Sequence, residues 1–316
     1  MKILVTGANG FVGQVLCRRL IDQEFSVKGA VRSEKASLPA GVEKIPVGEI
    51  GASTVWKDVL EGVDCVIHLA ARVHVMHEER PDPIAEFRKV NVEGTKRLAE
   101  AAARSGVKRF VYVSSIKVNG EGTTGAPYTE RDLPDPQDPY GISKWEAEEA
   151  LHEISKNTGL EVAIVRPPLV YGPGVGGNFL RMLRLVEKGI PLPLASIENR
   201  RSMIYVENLA DALILCATHP DAAGETFLVS DIETVSTPEL IRRLSLGMKK
   251  RATILPFPLS LLALLGKISG KSAEIQRLTG SLEVDGSKMR KMLGWKPPRS
   301  LDDGLEKTVD WFSKNR

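Results

Sequence analysis

Short apolar runs recur along the first half of the chain, separated by longer stretches whose apolar residues follow helical spacing. Lys2 to Thr6 (KILVT) is the first run, and Val12 to Ile21 has the spacing of a helix. Ser26 to Val31 and Lys44 to Val47 are the second and third runs. Asp64 to Ala70 (DCVIHLA), Lys108 to Ser114 (KRFVYVS) and Glu161 to Arg166 complete the series. Ile84 to Arg104 and Pro139 to Lys156 are the long helical stretches between them. These runs do not alternate apolar with polar positions, so each predicts a strand covered on both faces. Strands of that kind separated by helices predict a doubly wound parallel α/β sheet.

The pattern loosens after Arg166. PPLVYGPGVGG is rich in proline and glycine and predicts a loop. Later elements are less regular, up to a final helix at about Leu301 to Lys314. A length of 316 residues suits two domains. The expected division is residues 1–166, with return segments at about 203–231, and a smaller, partly interleaved α/β unit over residues 167–316.

Composition changes this picture little. Apolar residues make up 42% and charged residues 26%, as in ordinary globular proteins. The net charge of +3, with scattered basic residues, argues against nucleic acid as a partner. Cys17, Cys65 and Cys216 lack metal or redox spacing and read as reduced, buried thiols of a cytoplasmic protein, with no metal site expected. A strand at the N-terminus leaves no room for a signal peptide, and no window suits a transmembrane span. FPLSLLALLGKI (Phe257 to Ile268) predicts a helix packed into the core, with contact at a membrane surface as the lesser alternative.

The stretch G-A-N-G-F-V-G, from Gly7 to Gly13, lies between the first strand and the first helix, the context of a dinucleotide-binding (Rossmann) fingerprint. Gly7 permits the tight turn, Gly10 lets the backbone approach a pyrophosphate, and Gly13 lets the helix pack on the strand. The helix N-terminus offers N–H groups and a positive dipole end to phosphates. A second strand that ends in an acidic residue suits a free ribose 2′-hydroxyl. Here it ends at Val31, and Arg32, Ser33 and Lys35 follow, which suits a 2′-phosphate. NADP(H) is therefore the expected cofactor, with NAD(H) as the alternative.

Ser115 stands at the end of the fifth strand, at the carboxyl edge where ligands of open α/β sheets bind. Tyr140 and Lys144 are four residues apart at the start of a helix and share a face. A nearby ammonium lowers a phenol's pKa from its usual value near ~10. Tyr140 can then exchange a proton with a substrate oxygen while a hydride moves at the adjoining carbon, and Ser115 can orient that oxygen.

TGANGFVG, HLAA (His68 to Ala71), NVEGTKRLAEAA, VSSIKVNGE, YGISK, RPPLVYGPG and LGWKPPRSLDDGLEKTVDWF together resemble the extended short-chain dehydrogenase/reductase family, in its nucleotide-sugar epimerase/dehydratase branch. The resemblance spans nearly the whole chain. It implies Ser115, Tyr140 and Lys144 as catalytic residues, with Lys144 also on the nicotinamide ribose. It implies a cofactor cleft of Gly7, Asn9, Gly10, Phe11, Val12 and Gly13 in the turn, Glu49 and Ile50 beside the adenine, and Leu69, Ala70 and Ala71 along the side. Asn91, on the family's structural asparagine, and Pro167 belong to the same cleft. Asn178, Arg201 and Arg277 fall on positions that contact the substrate diphosphate, for which convergent arginines make physical sense.

The same resemblance implies a homodimer in which the helices Ile84 to Arg104 and Pro139 to Lys156 pair across a two-fold axis, with Leu98, Ala101 and Ala102 as candidates for that surface. Dehydratases of the branch carry an Asp-Glu pair where this chain has Ile116-Lys117, which argues against dehydration. Leu169 stands where many 4-epimerases carry an asparagine, and Asn119 where a tyrosine is common. SIKVNGE and NRRS look most like enzymes of bacterial surface-polysaccharide (lipopolysaccharide) pathways. The implied activity is NADPH-dependent reduction of a UDP-4-keto-6-deoxy-N-acetylhexosamine at C4. The alternatives are a UDP-hexose or UDP-N-acetylhexosamine 4-epimerase with tightly bound NAD and a non-catalytic dinucleotide sensor.

Overall fold

The computed structural model describes residues 1–73, 82–270 and 272–315. Its strands are β1 (Lys2–Thr6), β2 (Ser26–Val31), β3 (Glu43–Pro46), β4 (Cys65–His68), β5 (Arg109–Val113), β6 (Glu161–Arg166), β7 (Leu169–Tyr171), β8 (Met203–Tyr205) and β9 (Thr226–Leu228). Seven of them form one parallel sheet in the order β3-β2-β1-β4-β5-β6-β9, while β7 pairs with β8 apart from it. The order reverses between β1 and β4, so a crevice opens at their carboxyl ends, where ligands of such sheets bind.

The helices are α1 (Phe11–Asp22), α2 (Pro83–Arg88), α3 (Thr95–Arg104), α4 (Pro139–Thr158), α5 (Gly177–Lys188), α6 (Val206–Thr218), α7 (Thr237–Gly247), α8 (Leu259–Ile268), α9 (Ser272–Thr279), α10 (Ser287–Leu293) and α11 (Leu301–Lys314). Ile3, Val5, Val111 and Val165 meet α1 and α6 on one face of the sheet. Leu4, Val66, Phe110 and Ile164 meet α3 and α4 on the other. This double coverage is the reason the strand sequences do not alternate. A second core gathers Tyr171, Phe179, Leu183, Tyr205, Leu240, Leu305 and Val309 around α5, α7 and α11. The chain returns from it to the large sheet through β9 and through α6, which packs on α1.

Three expectations need correction. Leu98 and Ala102, taken as candidates for a surface between two chains, are fully buried against this chain's own sheet, and Ala101 is partly buried beside them. The helix expected over Ile84 to Arg104 is interrupted by a π-helical turn, Lys89–Gly94, between α2 and α3. That turn carries the buried Asn91, whose carboxamide accepts from Arg72 N at 2.8 Å and donates to Arg72 O at 3.0 Å and Ser143 Oγ at 2.9 Å. The third concerns α8, which buries only Leu262 and Gly266 and leaves its other leucines exposed. Cys17, Cys65 and Cys216 are free and buried, and burial pushes their thiols well above the ordinary range.

Gly13 fixes how closely α1 approaches β1. A Cβ built there would lie 2.2 Å from Gly7 O and 2.8 Å from Ala8 Cα, both backbone atoms that cannot yield. Gly13→Ala is expected to lower the unfolding free energy by about 1–3 kcal/mol, the usual range for overpacking. Urea denaturation measures it, and an unchanged midpoint would contradict the packing.

Candidate active site

The crevice is built first from the glycine turn. Gly7 has φ +66°, and a Cβ there would sit 3.0 Å from Ala70 N, so the turn lies directly against the segment after β4. That segment is held in place because Thr6 Oγ1 accepts from Ala70 N at 3.1 Å and bonds His68 Nδ1 at 2.6 Å. His68 is buried and reaches Thr95 Oγ1 at 2.9 Å through its other nitrogen. Burial, with the charge of Lys144 nearby, brings its pKa down to about 3. It is thus a neutral link between β1, β4 and α3. Leu69, Ala70 and Ala71 remain partly exposed.

Helix α1 starts after Gly10, which donates to Gly7 O at 2.9 Å, and no side chain caps its first turn. Its leading N–H groups are open to an anion. Asn9 is exposed, and Phe11 and Val12 are partly buried. A Cβ on Gly174 would lie 3.4 Å from the Phe11 ring, so the loop after β7 lies over the turn. Arg32, Ser33 and Lys35 follow β2 in exposed positions, and no described residue pairs with the Arg32 guanidinium. Glu49 is exposed beyond β3, while Ile50 packs on the π turn, its Cγ2 being 2.7 Å from where a Cβ on Gly94 would sit. A turn that excludes Cβ atoms, an uncapped helix N-terminus and an unpaired arginine suit a diphosphate-bridged dinucleotide.

Ser114 N donates to Val165 O at 2.8 Å and Ile116 N to Pro167 O at 3.0 Å, which pins Ser115 at the carboxyl end of β5 and sets Pro167 beside it. Helix α4 begins nearby because Pro139 occupies its first position and Asp138 caps it, accepting from Gly141 N at 2.7 Å. Lys117 Nζ bonds Asp138 Oδ2 at 2.5 Å, tying the turn after Ser115 to that cap. The structure therefore brings Ser115, Tyr140 and Lys144 together. Ser115 stands beside Tyr140, close enough for its hydroxyl to oppose the upward shift of the phenol. Lys144 Nζ donates to Val113 O at 2.7 Å and lies 4.3 Å from the centroid of the Tyr112 ring.

The electrostatics differ from expectation. Burial pushes Tyr140 up to about 12, against the hydrogen bond from Ser115. Burial brings Lys144 down to about 7, with Glu148 opposing the shift. The expected lowering of Tyr140 by Lys144 is absent because desolvation acts on both groups and the amine is engaged by the Val113 carbonyl.

Glu148, Arg166 and Ser114 escaped the sequence reading. Arg166 Nη2 reaches Glu148 Oε2 at 2.5 Å, Arg166 Nε reaches Oε1 at 3.0 Å, and Ser114 Oγ donates to the same carboxylate. Arg166 Nη1 also donates to Asn119 Oδ1 at 3.1 Å, which gives that unusual asparagine a structural role. The available signal was Glu148 itself, four residues after Lys144 and so on the same side of α4.

Among the substrate candidates, Arg201 and Arg277 come together. Arg201 Nη1 donates to Arg277 O at 2.9 Å and Gly280 O at 3.2 Å; burial lowers its pKa, and no described carboxylate pairs with it. A mostly buried guanidinium facing only neutral carbonyls is suited to an anionic ligand. Asn178 is exposed on the first turn of α5, with no contact to either arginine among the described residues.

A doubly wound sheet with a glycine turn and a Ser-Tyr-Lys set defines a dinucleotide-dependent α/β enzyme. The NAD dependent epimerase/dehydratase family matches residues 3–230, and the chain belongs to that family, the nucleotide-sugar branch of the extended short-chain dehydrogenases/reductases. A UDP-glucose 4-epimerase of Vibrio cholerae is 46% identical over 98% of this chain and 95% of that protein. The N-acetyl-alpha-D-glucosaminyl-diphospho-ditrans,octacis-undecaprenol 4-epimerase of Escherichia coli O157:H7 is 27% identical over 98% of this chain and 95% of its own length. The solved structure of MoeE5 in complex with UDP-glucuronic acid and NAD is 27% identical, with a TM-score of 0.79 and full coverage of both chains.

Lys144 makes stability depend on pH with a definite sign. The folded chain releases its proton near pH 7, whereas the unfolded chain holds it up to about 10.5. Between those values the unfolded state binds more protons, so this residue makes the unfolding free energy rise with pH. Urea denaturation of the wild type and of Lys144→Met is expected to show the wild type gaining on the variant from pH 7.5 to pH 10. A pH-independent difference would contradict the shift.

Proposed function

We propose that the chain inverts C4 of a UDP-linked hexose or N-acetylhexosamine, with a tightly held NAD that returns to its starting state each cycle. The observation that carries this reading is that Ser115 stands beside Tyr140 while Lys144 reaches the Val113 carbonyl at the end of β5, on the same carboxyl edge of the sheet as the Gly7 to Gly13 turn. Similarity to the Vibrio cholerae UDP-glucose 4-epimerase over nearly the whole chain supports it, as does the NAD held with a UDP-sugar in MoeE5.

The turn and the N-terminus of α1 would hold the diphosphate of the dinucleotide, with Glu49, Ile50 and Leu69 to Ala71 along its length. When bound, that group supplies reversible two-electron oxidation at the sugar carbon. Tyr140 Oη takes the proton of the C4 hydroxyl and gives it back to the same oxygen, which Ser115 Oγ orients. Lys144 is poised near neutrality, so it changes charge at small cost. Arg201 and Arg277 hold the sugar's diphosphate. The Escherichia coli relative is named for a sugar on a lipid diphosphate, and two arginines suit the diphosphate of either carrier.

NADPH-dependent reduction of a 4-keto sugar stands as a second reading. The unpaired Arg32 beyond β2 favours it, together with Leu169 in place of an epimerase asparagine. The two readings separate on substrate. The purified protein is expected to convert UDP-N-acetylglucosamine to its 4-epimer without added cofactor. Tyr140→Phe should lower kcat by about 10²–10⁴ with nucleotide binding retained. Stoichiometric NADPH consumption with a UDP-4-keto-6-deoxy-N-acetylhexosamine, and no epimerisation, would replace the epimerase with the reductase.

A further inference from the structure

Helix α8 turns an apolar face outward. Leu261, Leu264, Leu265 and Ile268 are 44%, 51%, 48% and 76% exposed, at the three- and four-residue spacings of one continuous stripe. Its inner side is fully used: Leu262 enters the second core, and Gly266 lets α9 approach so closely that a Cβ there would be 2.6 Å from Ile275 Cδ1. The outward leucines are thus surplus to the packing of α8.

Neighbouring segments extend the same end of the molecule. Leu192 N donates to Thr253 O at 2.9 Å and Leu255 N to Leu192 O at 2.8 Å, which sets the exposed Leu255 close to the exposed Ile190. The charge there is one-sided. From Lys249 to Ala273 the chain has five lysines and arginines and no aspartate or glutamate, in a protein whose whole net charge is +3. Lys249, Lys250, Arg251 and Lys267 are exposed, and Lys250 Nζ reaches the backbone carbonyl of Glu187 at 2.5 Å, joining this loop to the end of α5. No described helix is long and apolar enough to cross a membrane.

An apolar stripe with Lys267 on the same helix and a basic loop leading into it matches the layering of a bilayer surface, with acyl chains below and anionic headgroups above. A partner protein would need an apolar pocket and an acidic rim matched to this one face, whereas an anionic bilayer offers both layers at any point on its surface. We infer that α8 and the basic loop before it dock the protein on an anionic membrane surface, with the leucines among the outer acyl segments and Lys249, Lys250, Arg251 and Lys267 among the phosphates. The helix packed under α8 carries Arg277, whose carbonyl holds Arg201, so docking sets the diphosphate-binding end of the molecule next to the bilayer.

The test is co-sedimentation of the full chain with vesicles of equal parts phosphatidylglycerol and phosphatidylcholine, and with phosphatidylcholine alone. Binding to the anionic vesicles is expected, and it should weaken on raising salt from about 0.1 M to about 1 M. Leu261→Asp/Leu264→Asp and, separately, Lys249→Glu/Arg251→Glu should each reduce it by roughly tenfold or more. All four side chains are exposed, so circular dichroism and thermal unfolding should match the wild type. Failure of the wild type to bind, or full retention of binding by both variants, would overturn the inference. So would a dimer in light scattering that the leucine substitutions dissolve, with no vesicle binding, because the face would then belong to a second copy of the chain.

Discussion

The buried pair of Arg166 and Glu148 is the contact on which the arrangement of the site depends. Side chains this deeply buried lose their hydration, and their attraction offsets that loss only when the remaining hydrogen-bonding positions are filled. Here they are filled: Ser114 donates to Glu148, and Asn119 accepts from Arg166. The four residues come from the end of β5, the turn after it, α4 and the end of β6. The pair therefore locks α4 in rotation and height against two strand ends. Lys144 and Tyr140 lie about one and two turns before Glu148 on that helix, and Ser115 is the neighbour of Ser114. Loss of one partner from such a pair costs about 3–5 kcal/mol, because a buried charge is left alone.

The same burial sets the chemistry. Dehydration of the end of β5 raises Tyr140, depresses Lys144 and keeps His68 neutral. Glu148 opposes the shift at Lys144, so one carboxylate both fixes the helix and holds the lysine near pH 7. A lysine poised there passes between charged and neutral forms with little cost, which suits the proton exchange proposed at Tyr140. Because burial holds His68 neutral down to about pH 3, it adds no competing charge change near neutral pH.

Much of this was legible in the sequence. The strands of the large sheet could be read because continuous apolar runs can only be buried on both faces. The glycine turn could be read because backbone crowding at Gly7 and Gly13 admits no side chain. The Ser115, Tyr140 and Lys144 set followed from strand-end placement and helical spacing. Other features were hidden for physical reasons. Apolar periodicity says that a face is apolar, not what covers it. Leu98 and Ala102 therefore looked like an interface while serving their own sheet, and α8 looked like core while facing outward. The π turn at Asn91 depends on partners 19 and 52 residues away along the chain, beyond any local pattern. Glu148 was overlooked because a glutamate on a helix reads as solvated until the strand that brings Arg166 to it is in place.

The central claim is that the crevice beside Tyr140 retains one nicotinamide dinucleotide through the whole catalytic cycle. The most direct measurement is chromatography of the nucleotide released when the purified, extensively dialysed protein is denatured. Close to one NAD(H) per chain is expected, remaining after dialysis and displaced from Gly13→Ala. Release of NADP(H), or of no dinucleotide from the folded wild-type protein, would contradict it.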